Sequence, residues 1–181
     1  MKTHTSILFL LLLARPVFSQ FNSLYEKLFE FEAQRYLMSE IYEVNSSKVD
    51  ELRIDHIYSE NDGEFILRLT AYDFDGKQGV ILTSLNSYDV VGDLYRFRNI
   101  HLTREEIEDL NSRLNFMGIN QRKKDVNLLQ RFNERLIFEV AASSVSGLIN
   151  YNLWIDNLTK HSFTKDTWDK SFQRLQEFFQ K

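Results

Sequence analysis

The alternation between Leu52 and Leu85 constrains this chain more than any other feature. Apolar and polar residues alternate there, interrupted by Asn61-Asp62-Gly63 and Asp75-Gly76. Turns this short can only reverse a strand, because a parallel crossover needs a dozen residues or more. The segment therefore predicts an antiparallel meander. Leu52, Ile54, His56 and Tyr58 are expected to share one face of a first strand. Phe65, Leu67, Leu69 and Ala71 line one face of a second, with Ile66, Thr70 and Tyr72 opposite. Val80 to Leu85 is a third strand. Tyr95, Phe97 and Asn99 alternate with Arg96, Arg98 and Ile100 in a fourth.

The period is helical elsewhere. Residues 22–44 predict a helix with two apolar stripes, Tyr25, Phe29, Ala33, Tyr36, Leu37, Ile41 and Val44, then Leu24, Leu28, Phe31, Met38 and Tyr42. A helix apolar over so much of its circumference is expected to be covered on two sides. Thr103-Arg104-Glu105-Glu106 is a capping box opening a second helix, with Ile107, Leu110 and Leu114 as its core stripe and Met117-Gly118 as its end. A short helix is expected over 121–132. Leu136, Phe138 and Val140, then Ile149, Tyr151, Leu153 and Ile155, predict a hairpin with its turn at Ser143 to Gly147, favoured over a helix by β-branched and aromatic content. Thr164 caps a last helix carrying Trp168, Phe172, Leu175 and Phe179. The expectation is one α+β domain over 20–181. In it the long N-terminal helix and helices at 104–116 and 165–179 pack on one face of an antiparallel sheet of about five or six strands.

Leu102-Thr103-Arg104-Glu105 with Ile107 recurs 61 residues later as Phe163-Thr164-Lys165-Asp166 with Trp168. The match does not extend upstream, so two independent uses of good capping chemistry are favoured over a duplicated sheet–helix half.

The first residues read as a leader. Lys2, the apolar run Ile7 to Ala14, then Arg15-Pro16 and Val17-Phe18-Ser19 have the layout of a signal peptide cleaved near Ser19. The run is too short to span a bilayer, which takes about 20 apolar residues. The expected location is periplasmic or secreted. Removing residues 1–19 takes away Lys2, Arg15 and the only proline, so the formal charge moves from −4 to −6. The chain has no cysteine, which excludes thiolate metal sites, cysteine nucleophiles and disulfide scaffolds.

Few chemistries survive inspection. His56, His101 and His161 stand apart, so no spacing suggests a metal site. Asp73-Phe74-Asp75-Gly76-Lys77 opens like a calcium loop, but Lys77 replaces a ligand. Ser143 to Gly147 lacks the first glycine of a nucleophile elbow. Arg122-Lys123-Lys124 is too short a basic run for nucleic acid in a net acidic chain. No metal, no cofactor and no nucleic acid are expected.

Charge is the remaining signal. Residues 50–109 carry 14 acids and 6 bases, whereas 110–181 carry 7 acids and 11 bases. Such a split can steer a charged partner or pair two copies head to tail as a homodimer. The expected function is a non-enzymatic protein-binding domain: an inhibitor, an immunity-type protein or an accessory subunit of an envelope assembly, with a protein partner of basic character. The candidate contacts are Tyr88, Asp89, Asp93, Tyr95, Glu105, Glu108 and Asp109. A small secreted hydrolase with a carboxylate site assembled in space, and a carrier of lipid or another apolar ligand, are the alternatives.

Overall fold

The computed structural model describes residues 26–42, 52–61, 65–86, 96–121, 127–142 and 148–181. Residues 1–19, expected as a leader, and the turns expected at Asn61-Asp62-Gly63 (beyond Asn61) and at Ser143 to Gly147 lie outside these residues. So do Arg122 to Lys124, Tyr88, Asp89, Asp93 and Tyr95.

Two four-stranded antiparallel sheets replace the expected single sheet. Sheet one runs in the order β1 (Leu52–Asn61), β2 (Phe65–Phe74), β3 (Lys77–Asn86), β4 (Phe97–Thr103), and leads into helix α2 (Arg104–Gln121). Sheet two repeats the plan with β5 (Leu128–Arg131), β6 (Leu136–Ala142), β7 (Ile149–Ile155), β8 (Thr159–Thr164) and helix α3 (Lys165–Phe179). A preceding helix, α1, covers 26–41 and ends in a π-helical turn at Leu37–Ile41. The chain is thus α+β, with the Thr103 and Thr164 motifs at the same point of two ββββα units. The recurrence at 61 residues marks this repeated plan.

The helices do not share one sheet face. α2 packs on β3 and β4 of its own sheet and on β6 of the other, while α3 packs on β7 and β8 and on β1 and β2. One core results. It unites Leu67, Leu69, Val80, Leu82, Ile100 and Leu102 of sheet one with Phe138, Tyr151, Leu153 and Phe163 of sheet two, around Leu110, Leu114, Trp168 and Leu175. α1 instead covers the other face of sheet one, where Ala33 and Leu37 meet Tyr72 and Ile81. Its second stripe is only partly covered, since Met38 is buried and Phe31 is 65% exposed.

The meander forms as its turns dictate. Asp75 and Gly76 have φ of 51° and 74°, the left-handed pair that a two-residue hairpin needs. One alternation is corrected. The β1–β2 register shifts between His56 and Tyr58, so His56 pairs with Thr70 but Tyr58 pairs with Leu69. The bulge puts Ile57 and Tyr58 on the core side and leaves Leu52, Ile54 and His56 under α1. Arg174 of α3 holds this bulge, donating to the carbonyls of Ile57 at 2.7 Å and His56 at 3.0 Å.

Three further expectations change. α2 does not end at Met117-Gly118 but continues to Gln121. Gly118 serves packing instead, because a Cβ there would lie 2.8 Å from the Tyr151 hydroxyl. The expected helix at 121–132 is in part strand, since Leu128 to Arg131 pairs with Ile137 to Val140. An open edge of β6 overrides weak helical periodicity there. β8, which no sequence pattern disclosed, follows a turn in which Asp156 and Asn157 take φ of 53° and 58°. The hairpin of β6 and β7 forms as expected, with Leu136 opposite Ile155.

Candidate functional site

A cleft of about 430 Å³ opens where the end of α1, the β2–β3 hairpin and the start of α2 converge. Tyr42, Tyr72, Lys77, Gln78, Thr103, Arg104 and Glu105 line it, with Gly76 at the turn. Each wall follows from local structure. The capping box forms in full: the Thr103 amide donates to Glu106 Oε2 at 2.8 Å and the Glu106 amide to Thr103 Oγ1 at 3.3 Å. This sets the direction of α2 and turns Glu105 outward. The Asp75-Gly76 turn places Lys77 and Gln78 opposite.

A hydrogen-bonded chain forms the inner wall. The Tyr42 and Tyr72 hydroxyls lie 3.1 Å apart, and the Tyr72 hydroxyl lies 2.6 Å from His101 Nε2. Gly79 makes this possible. A Cβ at that position would stand 2.6 Å from the Tyr72 oxygen and 2.5 Å from the Leu102 carbonyl, so the ring can cross β3 only over a glycine. Burial, the largest cause, pushes the Tyr72 phenol well above its usual range. Burial also lowers the His101 imidazole. The two displacements are opposed to proton transfer, because both charged products are disfavoured. Proton transfer from Tyr72 to His101 is therefore disfavoured.

A second constellation lies in the core. Ser84 Oγ is 2.9 Å from His161 Nε2, and His161 Nδ1 is 3.7 Å from Glu60 Oε2. Register explains it: Glu60 and Ser84 flank Leu67 across sheet one, and His161 enters from β8. The order of groups is that of a serine nucleophile site. Ser84 is fully buried and His161 is 2% exposed, so no substrate carbonyl reaches the hydroxyl. The carboxylate is also beyond hydrogen-bond range of the imidazole. The arrangement joins the two sheets through polar groups.

The expected contact residues divide. Tyr88, Asp89, Asp93 and Tyr95 lie outside the described residues. Glu108 is engaged by Arg104 at 3.1 Å and Gln176 at 3.3 Å. Asp109 pairs with Arg113 at 2.8 Å. Glu105 is exposed and lines the cleft, without an ion pair to the described residues. Its carboxyl sits below the usual range because it accepts from its own backbone N–H, then from Thr103. Sequence reasoning missed Tyr42, Tyr72, His101 and Lys77. No spacing joins Tyr42 to Tyr72, but the strand register sets Ile81 opposite His101, and Thr70 and Tyr72 opposite Ile81 and Gly79. Among the described residues no group of three His, Asp or Glu could hold a metal, and no helix is long and apolar enough to cross a membrane. Comparison with protein families, curated proteins and solved structures finds no match to this chain.

Proposed function

We propose that this chain is an exported, non-enzymatic protein-binding domain that takes a basic partner at the start of α2 and the cleft beside it. One observation carries the reading. Glu105, the one of the three described contact candidates that forms no ion pair with described residues, is also the one that lines the cleft. A carboxylate held in no ion pair beside a concave surface suits recognition of positive charge. Export rests on the leader pattern of residues 2–19. An inhibitor, an immunity-type protein, an envelope accessory subunit and a homodimer through the basic C-terminal half are all forms of this reading.

A photo-crosslinking residue at position 105, and another at the exposed Gln173 on α3 as a control, would test it in envelope extract of the source cells. The expected result is one adduct from position 105 and none from 173. The captured protein, once purified, should bind the unmodified chain in a salt-dependent way, and Glu105→Lys should weaken it by about tenfold or more. Equal adducts from both positions, or a captured protein indifferent to Glu105→Lys, would defeat the proposal.

A further inference from the structure

The cleft holds two cations of its own, Lys77 and Arg104, beside the acceptor groups of Tyr42 and Glu105. A phenol is a stronger acid than a neutral imidazole, so Tyr72 donates to His101 Nε2. Either hydroxyl can donate across the 3.1 Å contact with Tyr42, and with the Tyr72 proton given to His101 the donor there is Tyr42. That direction leaves the lone pairs of the Tyr42 oxygen for a donor from outside. Glu105 adds a carboxylate that stays ionised at the positive end of α2.

The two cations of the cleft differ. Arg104 is committed: its Nε donates to Glu108, its Nη1 donates to Gln78 Oε1 at 2.9 Å, and its guanidinium lies 5.3 Å from the centre of the Phe179 ring. Lys77 is held only by an aromatic face. Its ammonium lies 5.0 Å from the centre of the Tyr42 ring, and no described carboxylate comes within ion-pair distance of it. A cation over a tyrosine face beside an unpaired carboxylate is the arrangement by which proteins bind an ammonium or guanidinium group.

We propose that the cleft recognises a single basic side chain, a guanidinium or primary ammonium presented by the protein partner, and that Lys77 rests where that cation binds. The incoming group displaces the Lys77 ammonium from the Tyr42 ring and donates to the Tyr42 oxygen and the Glu105 carboxylate. Lys77 is flexible and exposed, so it can swing into solvent. The inference rests on the protein-binding reading and adds the chemistry of the contact.

The test is an NMR titration of the full chain with N-acetylarginine amide, N-acetyllysine amide and inorganic phosphate, each to about 10 mM, where millimolar affinity fills the site. At least one basic amide should shift the Tyr42, Tyr72 and His101 ring signals, and phosphate should not. Glu105→Gln should weaken the response about tenfold. Lys77→Met should strengthen it a few-fold by removing the internal competitor, and Asp166→Asn, exposed on α3 and outside the cleft, should leave it unchanged. Signals that move with phosphate, or that ignore both amides at the highest concentration, would overturn the proposal. So would an equal response in the Glu105→Gln protein. A partner that crosslinks at position 105 while the free amides leave the cleft signals still would retain the protein-binding reading and remove this one.

Discussion

The two ββββα units share a plan and differ in their second face. In unit one α1 lies over the outer face of sheet one, and the polar side chains there become buried: Arg68, Thr70, Thr83 and Asn99, with Glu32 from the helix. Each charged group then needs an internal partner. Asn99 donates to Glu32 at 2.7 Å, Arg35 grips Glu32 through two bonds of 2.9 Å, and Arg68 donates to His56 Nδ1 at 2.9 Å. In unit two the outer row Arg131, Ile137, Trp154 and Lys160 stays partly or fully exposed. Its strands are also shorter, four to seven residues against seven to ten. The lesson is that one added helix changes what a sheet's second face must be made of. It also creates the site, because Tyr42 at the end of α1 supplies one cleft wall and the Tyr72 chain is buried beneath it.

The largest test of this comparison is at the matched helix positions Ile107 and Trp168. Trp168 packs edge-on to Phe163 and Tyr151 with centroids 5.6 and 6.4 Å apart, and its indole donates to Asn111 of α2 at 2.9 Å. Trp168→Ala should cost about 3–5 kcal/mol and Ile107→Ala about 2–4 kcal/mol by urea unfolding. A single cooperative transition is expected for both, since the units share one core. Two separated transitions would show instead that each unit folds alone.

Gly79 and Gly118 sharpen the comparison at the next scale. Both face a tyrosine oxygen, but Gly79 also faces the Leu102 carbonyl, which is backbone and cannot swing away. Gly79→Ala should destabilise by about 1–3 kcal/mol and displace Tyr72 from His101. Gly118→Ala should cost about 1 kcal/mol or less, because the Tyr151 hydroxyl can move and alanine favours the helix. Equal losses would mean that the backbone approach at Gly79 is not what sets Tyr72.

The smallest effect at neutral pH concerns His56 in the covered layer. Burial, then the charges of Arg68 and Arg174, lowers its pKa from 6.5 to about 4. The folded protein therefore binds fewer protons than the unfolded chain between these values, and stability falls as pH drops from 6.5 towards 4. The contribution is fully present above pH 6.5. His56→Gln, which can still accept from Arg68, should flatten this part of the stability profile and change little at pH 8. An unchanged slope in the variant would assign the acid loss to other groups.

Much of the fold was legible in local chemistry. Asp75-Gly76 dictated a hairpin, Thr103 to Glu106 and Thr164 dictated helix starts, and alternation marked the core residues of β2, β3, β6 and β7. The failures share a cause. The His56–Tyr58 bulge, the strand at Leu128 to Arg131 and the continuation of α2 past Gly118 are all decided by a neighbour: Arg174, the β6 edge and Tyr151. Of the site, only Glu105 was legible, through its acidic helix start. Tyr42 belonged to a helix stripe, Tyr72 to a strand face and His101 stood apart, and nothing in their spacing says that their polar atoms meet.

The amino-acid sequence by itself determined the β1–β4 meander and the β6–β7 pair with their antiparallel sense, the helices that follow Thr103 and Thr164, and the absence of any thiol chemistry. Period, turn residues and caps act over a few residues and need no tertiary partner. Only the tertiary structure decided that there are two sheets rather than one, that α1 covers the outer face of the first, and that Lys77 lies on Tyr42 in a cleft that Glu105 also lines. Those are long-range outcomes of burying apolar side chains on both faces of sheet one, and the cleft exists only where three separately encoded elements end together.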